Sequence, residues 1–104
     1  MMAPAFHVAQ ETAVWPPPPP LRELLLDADP DERQVADHLA HGELYVARSR
    51  GAAAGAIVIR QTGEDTWEIM NCSVAPEYRR HGCGTAMVLH ALHIIRNKGA
   101  RYAE

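Results

Sequence analysis

Cysteine is scarce in this sequence. There are two in 104 residues, and they make neither a disulfide framework nor a C-x-x-C redox motif. Long apolar runs are missing too; none approaches the ~20 residues that a membrane helix needs. The opening stretch MMAPAFHVAQETAVW has neither a basic cluster nor a continuous apolar run, so the expectation is no secretory signal and a cytoplasmic protein. Internal repeats are absent. What remains, 47% hydrophobic and 22% charged, is the composition of an ordinary soluble domain, and the length suits one.

The net charge of −3 conceals an asymmetry. Residues 1–77 carry five basic and twelve acidic side chains, a net −7. Residues 78–104 set Arg79, Arg80, Arg96, Lys98 and Arg101 against Glu104 alone, a net +4. A basic segment on an acidic chain suggests a local anion site, not a nucleic-acid surface. Arg96, Lys98 and Arg101 read as a solvated helix face, with Lys98 in a last turn where the helix dipole favours cations.

Five prolines, Pro16 to Pro20, fix φ and remove donors, so no helix or central strand runs through them. They read as a stiff spacer, and residues 1–20 as an N-terminal segment ahead of a domain spanning 21–104. Within that segment FHVA is a candidate short strand. LRELLLDA (21–28) places Leu21, Leu24 and Leu25 on one helical face. In DPDERQVADHLAHG, Asp29 is the expected N-cap, Pro30 the first helical residue and Glu32 the N3 partner, with Gly42 as the stop. ELYVARS (43–49), AIVIRQ (56–61) and TWEIMNCSV (66–74) read as strands. The connections RGAAAG and TGED are short enough for an antiparallel meander. Pro76 closes the third of these strands. A helix follows from about Cys83 to Lys98, expected to bury Met87, Val88, Leu92 and Ile95, and ARYAE begins a further strand.

The junction VAPEYRRHGCGTAM is where chemistry is expected. A helix N-terminus presents unpaired N–H groups and about half a positive charge. Gly82 and Gly84 would let phosphates approach that backbone, and Arg79 and Arg80 add charge. A Walker loop is excluded because no lysine follows Gly84. A Rossmann turn is excluded because its third glycine position is Met87 and the preceding strand belongs to a meander.

Val74, Pro76, Arg79, Gly82, Gly84 and Ala86, with the aliphatic run behind them, resemble the acetyl-CoA signature of the GNAT family of acyl-CoA N-acyltransferases, V-x-P-x-x-R/Q-x-x-G-x-G/A. The resemblance is specific over 66–99 and weaker over the rest of 21–104. It implies an α/β fold (α+β in some schemes): a twisted, mostly antiparallel sheet flanked by helices. It implies acetyl transfer from acetyl-CoA, as cosubstrate, to an amine of an unidentified small molecule or protein. The backbone of Cys72, Ser73 and Val74 would bond the pantetheine arm. The loop of Arg79, Arg80, His81, Gly82, Cys83, Gly84 and Thr85 would hold the pyrophosphate. Position 80 is often glycine in the family; Arg80 points either toward the phosphates or into water. Glu68 is the candidate base for the amine proton, and Asn71 would polarise the carbonyl or bond substrate. None of Tyr45, Tyr78 and Tyr102 occupies the late-helix position of the family's usual general acid.

A complete family member carries a full fifth strand, a further helix and closing strands. The expectation is therefore a domain incomplete on its C-terminal side, lacking one wall of the cleft. Its uncovered edge would invite a homodimer or strand addition by another chain. The alternative function is a non-catalytic CoA-binding or interaction module. No nucleic-acid or membrane partner is implied. His81, Cys83, His90 and His93 lie close in sequence, but a zinc site wants four convergent ligands, and these read as ordinary surface or half-buried side chains with no metal. Cys72 and Cys83 read as small buried hydrophobes, with Cys83 as a thiol that a helix N-terminus would acidify.

Overall fold

The computed structural model describes residues 5–104; the first four residues of the expected N-terminal segment lie outside it. The elements in order are strand β1 (His7–Glu11), helices α1 (Leu21–Ala28) and α2 (Glu32–His41), and strands β2 (Glu43–Ser49), β3 (Ala52–Gln61) and β4 (Thr66–Val74). A short 3-10 turn (Pro76–Tyr78), helix α3 (Cys83–Asn97) and strand β5 (Tyr102–Ala103) complete them. The strands form one sheet in the order β1-β2-β3-β4-β5. β1 to β4 pair antiparallel and β5 joins β4 in parallel. No helix among the described residues is long and apolar enough to cross a membrane.

The expected boundary after residue 20 cuts through this sheet, because β1 pairs with β2 from His7↔Arg48 to Glu11↔Leu44. Arg48 holds that pairing with a bidentate contact to Glu11, at 2.7 and 2.8 Å.

Side chains alternate along β2 and β3 between two cores, one on each face of the sheet. On one face α1 and α2 bury Leu21, Leu24, Leu25 and Val35 against Leu44, Val46, Ala56 and Val58. On the other, α3 lays Cys83, Met87, Ala91 and Ile95 over Ala47, Ala54, Ile57 and Ile59. Leu25, Ile57, Ile59 and Met87 are fully buried, each contributing roughly 1.5–3 kcal/mol of transfer free energy. A strand covered on both faces reads as a continuous apolar run, which is why β3 is buried from Ala53 to Ile59.

Three expectations are corrected. The N-cap of α2 is Asp31, whose carboxylate accepts from the N–H of Arg33 and Gln34; Asp29 instead accepts from Asp31 N at 3.0 Å. Pro30 thus lies in the approach turn, and its ring precedes the helix by two residues. The strand expected at 56–61 begins at Ala52, since the turn needs only Arg50 and Gly51, both left-handed (φ 51° and 83°). Two positive φ values in succession match strand twist in a two-residue hairpin turn. Finally, α3 buries a strict i, i+4 stripe, leaving Leu92 40% and Leu89 62% exposed. Small residues set this rotation: Gly55 receives Met87 and Cys83, and a Cβ built there would sit 2.7 Å from Met87 Cε and 3.0 Å from Cys83 Sγ.

Gly42 joins α2 to β2 in a tighter space. A Cβ there would meet backbone oxygens of Ile59 at 2.5 Å and His38 at 2.7 Å, neither able to swing away. Gly42→Ala is expected to destabilise the fold by about 1–3 kcal/mol, read from urea unfolding; an unchanged midpoint would contradict this packing.

Candidate functional site

β4 changes its neighbours along its length. At its start β5 lies beside it, through Thr66↔Tyr102 and Trp67↔Ala103. The last link is Ile69 N–H to Glu104 O at 2.8 Å. From Met70 to Val74 no strand flanks that edge among the described residues, while β3 continues on the other side to Gly55↔Val74. The register shifts where they part, because Ile59 faces Ile69 and Val58 faces Asn71, leaving Met70 as an extra residue. Such a bulge bends its strand.

The open edge leads into the junction. Pro76 begins the 3-10 turn, closed by Tyr78 N–H to Ala75 O at 2.9 Å. Arg80 (φ 66°) and Gly82 (φ 86°) then take left-handed conformations, and α3 starts at Cys83. Its first intrahelical bond among backbone groups is Ala86 N–H to Gly82 O at 3.0 Å, and no side chain caps it. The N–H groups of Cys83, Gly84 and Thr85 are therefore the helix's open donors. They border a depression of about 280 Å³ lined by Val74, Tyr78, Arg79, Arg80 and the Gly82–Thr85 turn. The first turn of α3 carries no carboxylate. Open donors, a helix dipole and alternating left-handed residues make a concave anion cradle, and the donor set suits a pyrophosphate.

The other expected residues divide. Arg80, His81 and Thr85 are exposed around the cradle. Cys83 is 1% exposed and turns its thiol into the core under α3. Burial first, and Cys72 second, push that thiol's pKa up, which corrects the expected acidic thiol. Cys72 is exposed, correcting its expected burial. Ser73 is buried and donates weakly to Asp27 Oδ2 at 3.4 Å. Asn71 is 5% exposed and donates from Nδ2 to Leu25 O at 3.0 Å, while its Oδ1 is buried without a partner. Glu68 lies opposite Arg60, on the face covered by α2. A hydrogen bond with Glu104, then desolvation and the Glu104 charge, raise its pKa. His90 packs edge-on to Tyr45 and His93 contacts Asn97. Among the described residues no cluster of His, Cys, Asp or Glu has the arrangement of a metal site. Sequence reasoning missed Asp27, which reaches Ser73 and Arg79 from 46 and 52 residues away; no local signal marks it.

The model of the acetyltransferase (GNAT) family matches residues 7–104. The chain belongs to the GNAT acetyltransferase family. It is 36% identical over 80 residues to an uncharacterized N-acetyltransferase, YvbK, of Bacillus subtilis (strain 168), covering 77% of this chain and 52% of that protein. A Bacillus subtilis acetyltransferase solved in complex with CoA superposes with a TM-score of 0.85 at 30% identity, over 92% of this chain and 61% of that one. A GNAT acetyltransferase from Elizabethkingia anophelis with acetyl-CoA bound gives 0.81 at 29% identity, over 91% of this chain and 60% of that one. This GNAT chain thus spans about half the length of the curated relative it matches, and about three-fifths of those solved structures.

Arg80 is the one residue of the cradle loop that takes a left-handed conformation with a side chain. That conformation costs an L-residue roughly 1–2 kcal/mol. Arg80→Gly is expected to raise stability by about 1 kcal/mol in urea unfolding, part of the relief being offset by glycine's unfolded-state entropy.

Proposed function

We propose that the chain supplies the acetyl-CoA-binding part of an N-acetyltransferase that moves an acetyl group to an amine. The observation that carries this reading is the run from the β4 end, bulged at Met70, straight into the cradle at the α3 N-terminus. A strand edge without a neighbour offers N–H and C=O groups to an extended, amide-bearing chain. The backbone of Cys72, Ser73 and Val74 would bond the pantetheine arm there as a substitute strand. The loop from Arg79 through His81 to Thr85 would bind the pyrophosphate by its N–H groups, with Arg80 as neighbouring cation. The solved relatives that hold CoA or acetyl-CoA support the same ligand.

Acetyl-CoA brings a thioester whose carbonyl an amine attacks. Glu68 would take the proton from that amine, and its raised pKa makes it a stronger base than an ordinary carboxylate. Asn71 spends an N–H on Leu25 O and its Oδ1 is buried, so contact with substrate would require that side chain to be uncovered when substrate binds.

Two measurements test this. Acetyl-CoA at ~100 times its dissociation constant should stabilise the chain by roughly 2.7 kcal/mol in a thermal melt; a cooperative melt indifferent to acetyl-CoA overturns the reading. Glu68 acts as a base only when ionised, so kcat/KM should rise with pH through its raised pKa. Glu68→Gln should lower kcat by roughly 10²–10⁴-fold and flatten that limb; an unchanged profile removes Glu68 from the reaction, and CoA binding with no turnover on an amine panel leaves a binding module.

A further inference from the structure

The arginine that opens the cradle loop is already engaged. Arg79 donates from Nε to Val74 O at 3.1 Å and from Nη2 to Asp27 Oδ2 at 3.2 Å. Asp27 lies in the last turn of α1. The same carboxylate oxygen accepts from the Ser73 hydroxyl at 3.4 Å. One α1 side chain therefore grips the chain on both sides of Pro76: near the end of β4, and at the residue that leaves the 3-10 turn. Two residues back along β4, Asn71 fixes Leu25 O, so α1 is tied along the stretch of β4 that has an open edge.

We propose that Asp27 is a positioning residue for the pyrophosphate of acetyl-CoA, acting through Arg79. The inference rests on the acetyl-CoA reading above. Only Arg79 to Gly82 separate the 3-10 turn from α3, and Arg80 and Gly82 are held left-handed. In so short a segment the direction of the N–H groups depends on where residue 79 is anchored. The planar guanidinium, pinned by Val74 O and by Asp27, fixes that anchor. The pairing also neutralises Arg79, which leaves Arg80 as the loop arginine free to face phosphate. Arg79 and Asp27 side chains are 54% and 61% exposed, so the pair adds little to folding. Binding and stability should then respond differently to its removal.

The experiment measures the CoA dissociation constant calorimetrically, alongside Tm, for the chain and for Asp27→Ala, Arg79→Ala and the double variant. Each single change is expected to weaken binding about tenfold with little change in Tm, and the double to be no weaker than the weaker single. The salt dependence of binding should persist in Arg79→Ala and fall in Arg80→Ala. Unchanged binding in Asp27→Ala, tighter binding through a released Arg79, or strictly additive losses would each overturn the proposal. If the alanine variant melts below the working temperature, Asp27→Asn keeps the side-chain shape and is read the same way. A wild-type chain that binds no CoA overturns the function reading itself; a wild-type chain that binds while Asp27→Ala matches it overturns this inference alone.

Discussion

β4 bulges at Met70 and runs directly into the uncapped N-terminus of α3, and the candidate site follows from that continuity. Antiparallel pairing with β3 fixes the strand over its full length. β5 reaches only as far as Ile69. Beyond it the backbone keeps its extended shape, held by β3, but has polar groups to spare on the other side. Here it runs without interruption into a helix whose first N–H groups are also uncapped. The two sets of unspent donors and acceptors are contiguous, and an extended ligand ending in phosphates matches their order.

Rigid packing on both faces makes this exposure tolerable. β3 is buried between α1 and α2 on one side and α3 on the other, so β4 inherits a fixed partner. The close approach of α3 depends on Gly55, which yields its side-chain space to Met87 and Cys83. That contact sets the rotation of α3 and hence the direction of its N-terminus. The opposite end of α3 is held by Lys98, 2.7 Å from Glu43 and over the ring of Trp67. Glu43 in turn accepts from Tyr45 OH, whose proton burial holds firmly. The helix is fixed at both ends by different chemistry: steric at the cradle, electrostatic at the far end.

α1 contributes on the other face. Asn71, Ser73 and Arg79 all reach it, by way of Leu25 O and Asp27. Glu68 and Asn71 face the same side of the sheet as α1 and α2. The face of the sheet that carries Glu68 and Asn71 is thus mechanically joined to the loop before α3.

Much of this was legible in the sequence because it depends on local rules. The leucine stripe of α1 follows from helical spacing, and the spans of β2 and β4 from alternation bounded by turn residues. The turn before α3 was legible because Pro76 fixes its own φ and Gly82 takes a left-handed conformation immediately before the helix start. Other features required the fold. Asp31 displaced Asp29 as the cap because two nearby carboxylates compete for the same donors. Leu92 lost its place in the core to Ala91 because the helix had to settle over Gly55. The Cys83 thiol has its pKa raised and not lowered because that same rotation turns it into the core. The Asp27–Arg79 link is decided between residues 52 apart. By itself the sequence determined which segments are helix or strand and where the glycine-bearing turn before α3 lies, since φ restrictions and side-chain periodicity act within a few residues. The tertiary structure decided which side chains the loop can spend on a ligand, because each hydrogen bond already made within the fold removes a donor or an acceptor from the site.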